Sequence, residues 1–385
     1  MRRIRNGACT ALLLLALRPL AAGAEEDVQA PAVEFLALHS DNKVYILTLD
    51  GNLSRGAESR RFDDYPVTNA TAPDGRVFSL NRPWRKPGLD IATLVPGRTI
   101  TDQDFQLRED PRWAGYAPLW MRLSPDGKRL AFCSNEPDRE TAKRDGSFRI
   151  FTLDLATGDV RGITSFQDAE IASDSPSPEC FNWSPDSTKV AFYLHPNQLS
   201  ASHSARWEPE LYVAEPDGFV RKLARGSRVS ATLGANITFG PLWSPDGETI
   251  YFVSSYEKDL GTLEPGFPIT YSVPAKGGEG KKVCLGTPTS ITPDGMYVFA
   301  SGERSTQAKA VYVRVDLETG TVEDLGADWD QAVVSRSGRY VACRPRDGGH
   351  VIFTIEGKEV CRVQGKAFHS GDGVPMHAAC WVLQK

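Results

Sequence analysis

Three groups of side chains in this chain have the chemistry of recognition. Arg82, Trp84 and Arg85 stand together, and His195, His203, Arg206 and Trp207 follow within one stretch. Arg344, Arg346 and His350 form a third group, with Trp113 and Tyr256 standing apart. Arginine presents a planar fork of donors to carboxylates, and aromatic rings give rigid faces for sugars or peptides; both are favoured at binding hot spots. The histidines His39, His195, His203, His350, His369 and His377 add a second chemistry. Neutral imidazole is a common ligand of transition metals, so converging histidines would hold a divalent ion. Yet no His-x-His pair occurs, and Asp168, Glu170, Asp174 and Glu179 do not follow the EF-hand spacing. The expectation is a binding surface without a cofactor, and a histidine-held divalent metal is the alternative.

Familiar catalytic patterns are missing from the sequence. It contains no G-x-S-x-G nucleophile elbow, no H-E-x-x-H and no P-loop.

What must position these residues is a repeated hairpin. Ser244-Pro245-Asp246-Gly247 follows Trp243 and precedes Thr249-Ile-Tyr-Phe-Val. Proline presets φ for the turn, aspartate bonds amides two residues on, and glycine takes the left-handed conformation that follows. Copies stand at Ser124–Gly127 and Ser184–Ser187, shorter ones at Pro73–Gly75 and Pro293–Gly295, and a degenerate one at Ser335–Gly338. Steps of about 40 to 60 residues, each carrying four short strands, point to a β-propeller. Because its aspartate recurs once per unit, the module reads as scaffold and not as a catalytic site.

Counting gives six full units and an incomplete one at Val33–Leu49, with a weaker strand near Leu53 and, in the next unit, a fourth strand near Thr99. The segment His377-Ala-Ala-Cys-Trp381-Val-Leu resembles the strand that precedes the module at Trp243. Pairing it with the N-terminal strands closes an all-β ring of seven four-stranded blades without exposed edges. A six-bladed ring is the alternative.

The Trp-Ser-Pro-Asp-Gly hairpin followed by Ile-Tyr-Phe resembles the WD40-like (PD40) repeat of TolB-type propellers, over residues 33–385. The resemblance implies an exported binding or scaffold protein. It also implies that second-to-third-strand and blade-to-blade connections share one face. Those connections are the long ones here: 81–88, 134–147, 195–209, 256–268, 302–309 and 344–349 within blades, and 102–117, 165–179, 225–238 and 364–376 between them. The candidate contacts Arg82, Trp84, Trp113, His195, His203, Arg206, Trp207, Arg344 and His350 all fall on or beside them. Oligogalacturonate lyases are similar in arrangement, so a metal-assisted polysaccharide lyase is the alternative function, with His195, His203 and His350 the residues that would have to converge.

The ends of the chain set its expected compartment. Met1-Arg-Arg-Ile-Arg, an apolar run from Ala8 to Leu17 and Ala22-Gly23-Ala24 read as a secretory signal over residues 1–24, followed by a leader at 25–32. No later stretch reaches the length of a membrane helix. Removing the signal takes away Arg2, Arg3, Arg5 and Arg18 and no acid, so the body is more acidic than the formal net charge of −5 for the whole chain. An acidic body disfavours nucleic-acid binding, which depends on phosphate neutralisation. The expected protein is exported, not membrane-spanning and monomeric, with a protein or glycan partner. Cys133, Cys180, Cys284, Cys343, Cys361 and Cys380 permit disulfides in such a compartment, but buried thiols fit equally well.

Overall fold

Each hairpin module does what its residue types dictate. The Asp246 carboxylate accepts the Ser244 hydroxyl at 2.5 Å and the Glu248 N–H at 2.9 Å. The Ser244 oxygen accepts the Thr249 N–H at 2.9 Å, and Gly247 sits at φ 74°. The same bonds recur at Ser124 with Asp126 and at Ser184 with Asp186. The hydroxyls of Ser244 and Thr292 hold the Asp246 and Asp294 carboxyls below their ordinary range. These aspartates are occupied with holding turns. In the third copy Ser187 replaces glycine and still adopts φ 62°, a conformation that costs a non-glycine residue about 1 kcal/mol or more.

The computed structural model describes residues 33–40, 43–58, 69–80, 88–113, 116, 119–137, 144–163, 177–195, 210–215, 218–225, 240–254, 269–303, 310–326, 329–345, 349–364 and 379–384. The proposed signal and leader, 1–24 and 25–32, lie outside them. The strands form seven four-stranded antiparallel sheets. Blade 1 joins β1 (Val33–Ser40), β2 (Lys43–Thr48) and β3 (Leu53–Glu58) to the last strand, β28 (Ala379–Gln384). Blade 2 holds β4 (Asn69–Thr71), β5 (Arg76–Leu80), β6 (Gly88–Thr93) and β7 (Gln106–Glu109). Blade 3 holds β8 (Leu119–Leu123), β9 (Arg129–Pro137), β10 (Arg144–Asp154) and β11 (Val160–Gly162). Blade 4 holds β12 (Ser177–Trp183), β13 (Val190–His195), β14 (Glu210–Ala214) and β15 (Val220–Arg225). Blade 5 holds β16 (Leu242–Trp243), β17 (Thr249–Ser254), β18 (Ile269–Pro274) and β19 (Lys281–Leu285). Blade 6 holds β20 (Thr287–Ile291), β21 (Tyr297–Glu303), β22 (Ala310–Asp316) and β23 (Val322–Gly326). Blade 7 holds β24 (Trp329–Val334), β25 (Tyr340–Pro345), β26 (Gly349–Thr354) and β27 (Glu359–Gln364). First strands of successive blades touch one another, which makes them the inner ring.

Seven blades are therefore correct, and the ring closes as the terminal sequences predict. β1 pairs with β28 from Val33 opposite Gln384 to Leu38 opposite Ala379. Trp381 also behaves as its likeness to Trp243 implies. Its indole donates to the Val333 carbonyl of blade 7 at 2.9 Å, as Trp243 donates to Asn182 and Trp183 to Arg122. Each of these tryptophans ties its blade to the one before.

One expectation is overturned. The fourth strand of blade 2 is Gln106–Glu109, not the segment near Thr99. Ile100 instead bonds across to blade 1, donating to Gly56 and accepting from Glu58 at 2.9 Å each. A strap between blades has replaced the expected strand.

The core is divided into seams. Among the described residues, seven apolar clusters each draw side chains from two adjacent blades, such as Phe35, Ile46, Val77 and Leu94 for blades 1 and 2. Arginines reinforce several seams by donating to carbonyls of the next blade: Arg108 to Leu155, Arg221 to Ala275 and Arg314 to Ile355.

Candidate functional site

Alternating strand directions sort the connections onto two rims. Turns between first and second strands and between third and fourth strands emerge at one rim. Their amides are held by the modules and by turns such as Asp154–Asp159, where Asp154 accepts the Ala156 and Thr157 N–H groups. At the other rim are the strand ends that lead into 81–87, 138–143, 196–209, 255–268, 304–309 and 346–348. Those segments lie outside the described residues, and with them Arg82, Trp84, Arg85, His203, Arg206, Trp207, Tyr256, Arg346, His369 and His377. His39 and His195 end β1 and β13 at this rim, but their side chains also lie outside the description.

Three candidates are described fully. Cys343 pairs with Val351 across β25 and β26, which sets Arg344 and His350 at the rim end of blade 7. Arg344 is half-buried. His350 is 1% exposed and shares its side of β26 with Ile352, which packs against Leu36 and Leu38 of blade 1. Burial, and then the nearby Arg344 charge, lower its pKa to about 4, so the imidazole is neutral at pH 7. His350 is a core histidine beneath the rim.

Trp113 departs furthest from expectation. It is 3% exposed and wedged among Phe78, Phe132 and Phe151 between blades 2 and 3. Its indole donates to the Gly158 carbonyl at 2.9 Å, in the turn on the opposite rim, and Arg108 lies over the ring. An indole enclosed in this way has no face to offer a partner; it was expected on an open loop because its flanking sequence gives no sign that the segment dives between blades.

Among the described residues, no three His, Cys, Asp or Glu side chains gather at metal-binding range. Cys133, Cys284, Cys343, Cys361 and Cys380 are free thiols. Burial pushes Cys284 and Cys380 up to about 11, which leaves them protonated and unreactive near neutrality.

A cleft of about 270 Å³ opens on the tight-turn rim between blades 3 and 4. Its lining combines Trp183, Ile163, Val190 and Ala214 with Arg129 and Arg161, the carboxylates Asp154, Asp159 and Glu215, and three threonines. No recognition motif marks these residues in the sequence. The available signal is that Asp154-Leu-Ala-Thr-Gly-Asp-Val nearly repeats Asp316-Leu-Glu-Thr-Gly-Thr-Val, while the preceding strand carries Thr152 where the other carries Arg314.

No family model and no curated relative matches the chain. Solved structures share its fold. The tricorn protease matches at 13% identity and a TM-score of 0.54, over 87% of this chain and 35% of its own. This chain thus spans about a third of that protein's length. An oligogalacturonate lyase in complex with manganese matches at 13% identity and 0.50, over 86% of this chain and 84% of its own. TolB from Acinetobacter baumannii matches at 18% identity and 0.45, over 91% and 83%. Identities this low establish the propeller scaffold and nothing finer. No helix among the described residues is long and apolar enough to cross a membrane.

Proposed function

We propose that this propeller is an exported binding module that engages a protein or glycan partner through the rim carrying its long connections. The observation that carries this reading is the unequal construction of the two rims. One is made of short turns whose polar groups are satisfied internally. Apart from the strap at 94–105, the long connections leave from the strand ends of the other, and among them 81–87 and 196–209 carry Arg82, Trp84, Arg206 and Trp207. Loops set on a rigid frame are where such folds place recognition. Export rests on the signal-like residues 1–24, and the Trp-Ser-Pro-Asp-Gly resemblance to TolB-type repeats supports a scaffold role.

A lyase would need His195, His203 and His350 to meet at one metal. The enclosure of His350 within the seam of blades 7 and 1 favours the binding reading over that one. The test is a fourfold alanine variant at Arg82, Trp84, Arg206 and Trp207, compared with the parent on a glycan array and in affinity purification from an envelope extract. Loss of the parent's specific ligands with unchanged melting supports the proposal. Full retention of those ligands overturns it.

A further inference from the structure

Four stretches of this chain read Asn-x-Ser or Asn-x-Thr without an intervening proline: Asn52-Leu-Ser54, Asn69-Ala-Thr71, Asn182-Trp-Ser184 and Asn236-Ile-Thr238. In an exported protein this is the acceptor pattern for an asparagine-linked glycan, provided that the side-chain amide reaches solvent. The side chains of Asn69 and Asn236 lie outside the described residues. The fold treats the other two in opposite ways.

Asn182 is consumed by the scaffold. Its side-chain amide donates to the Pro241 carbonyl, just before β16, at 3.0 Å, and its own carbonyl accepts the Trp243 indole at 3.2 Å. Ser184, whose hydroxyl the pattern requires, belongs to the hairpin module. That hydroxyl donates to Asp186 at 2.5 Å and accepts the Lys189 N–H at 2.8 Å. A sugar on Asn182 would break the contact between blades 4 and 5.

Asn52 is built the other way. It ends the turn between β2 and β3 on the tight-turn rim, and only its backbone is used there. Its carbonyl accepts the Thr48 N–H at 3.1 Å, its N–H points to the Asp50 carboxylate at 3.4 Å, and Gly51 completes the turn at φ 83°. Cys361 of blade 7 backs the turn at the Thr48 carbonyl. The frame is thus complete without the asparagine side chain. Asn52 is exposed, and among the described residues none bonds its side-chain amide. The Thr48 hydroxyl, and then the Asn52 amide, hold the Asp50 carboxyl below its ordinary range. A fixed carboxylate therefore stands two residues before the acceptor. This suits a transferase that reads an acidic residue there as well as one that reads Asn-x-Ser alone.

We propose that Asn52 carries an asparagine-linked oligosaccharide on the tight-turn rim of blade 1, and that Asn182 carries none. The proposal rests on export, as read from residues 1–24. In the transfer, Nδ2 of Asn52 gives up one proton and bonds to the anomeric carbon of the first sugar. The bond from that carbon to a polyprenyl diphosphate carrier breaks, and the diphosphate leaves. Donor and transferase belong to the exporting membrane. The glycan places a bulky, hydrated group on this rim and leaves the long connections of the opposite rim clear.

The test takes the full chain from the exported fraction of its cell of origin and localises attached sugar by glycopeptide mass spectrometry. The expected result is a discrete oligosaccharide mass on the peptide holding Asn52, with Asn182 unmodified. Asn52→Gln, at an exposed position, should lose that mass completely with unchanged melting. Ser54→Ala keeps the asparagine and should lose the mass as well, because transfer needs the hydroxyl two residues on. Should Asn52→Gln fail to fold, Ser54→Ala alone decides. Sequencing the mature N-terminus reads export separately. A chain cleaved after Ala24 with a bare Asn52 overturns this proposal and leaves the exported binding module standing; an uncleaved chain with a bare Asn52 overturns the export reading with it. Sugar on Asn182 and none on Asn52 also overturns the proposal.

Discussion

The two rims of this ring are built differently. The tight-turn rim is a set of interlocking contacts: modules hold their own amides, and arginines reach from one blade into the next. Its most irregular point is the closure. Blade 7 carries Ser337 where other modules carry aspartate, and blade 1 has no module. Glu34 of β1 supplies the absent carboxylate, accepting the Ser337 hydroxyl at 2.7 Å and its N–H at 3.2 Å. At the loop rim the described residues are strand ends, with His350 buried beneath them. The turn bonds and the arginine contacts between blades thus gather at one rim.

The largest test of this division removes the closing strand. Deleting Ala379–Lys385 exposes the edge of β1 and strips Trp381 from the seam. It should abolish cooperative unfolding at room temperature, a loss on the order of the 5 to 15 kcal/mol that a domain possesses. Thermal melting followed by circular dichroism reads this directly, and an unchanged transition would refute the closure.

A pH series comes next. Unfolded histidine titrates near 6.5, whereas buried His350 titrates at about 4. As pH falls between those values the unfolded chain takes up the proton first, so stability declines across that window and is flat above it. The difference between parent and His350→Phe in urea denaturation should show this slope, amounting to roughly 3 kcal/mol at its limit. Parallel curves for the two proteins would mean that His350 is not enclosed.

The closure carboxylate should outweigh its counterparts at ordinary modules. Glu34→Ala leaves two donors of Ser337 without their buried acceptor and should cost roughly 2 to 3 kcal/mol, against about 1 kcal/mol for Asp246→Ala at an exposed turn. Equal costs would remove the special status of this seam. The smallest effect is expected at the loop rim, where Arg344→Ala should alter stability by about 0.5 kcal/mol or less.

The fold was legible because turn chemistry is local. Ser-Pro-Asp-Gly specifies a hairpin wherever it occurs, its repetition counts the blades, and Trp381 betrays the split one by its likeness to Trp243. The strap at Ile100 was not legible, since its partners Gly56 and Glu58 belong to another blade. Glu34 was hidden for the same reason: nothing near Val33 announces a defect at Ser337. The candidate contacts on the long insertions follow from residue type and position on the ring alone. Trp113 shows the weakness of that signal, because an aromatic in a connection serves a seam as readily as a partner. The cleft at Thr152 emerges only when the seams are aligned against each other.

The division of labour is tested most directly by site-specific photo-crosslinking in the cell of origin. A benzophenone amino acid is placed at Trp207, in the connection between β13 and β14, or at Lys276 on the tight-turn rim, and adducts are identified by mass spectrometry. The account predicts a discrete covalent adduct to a protein or glycan partner from position 207 and none from position 276. Adducts from position 276 alone would contradict it.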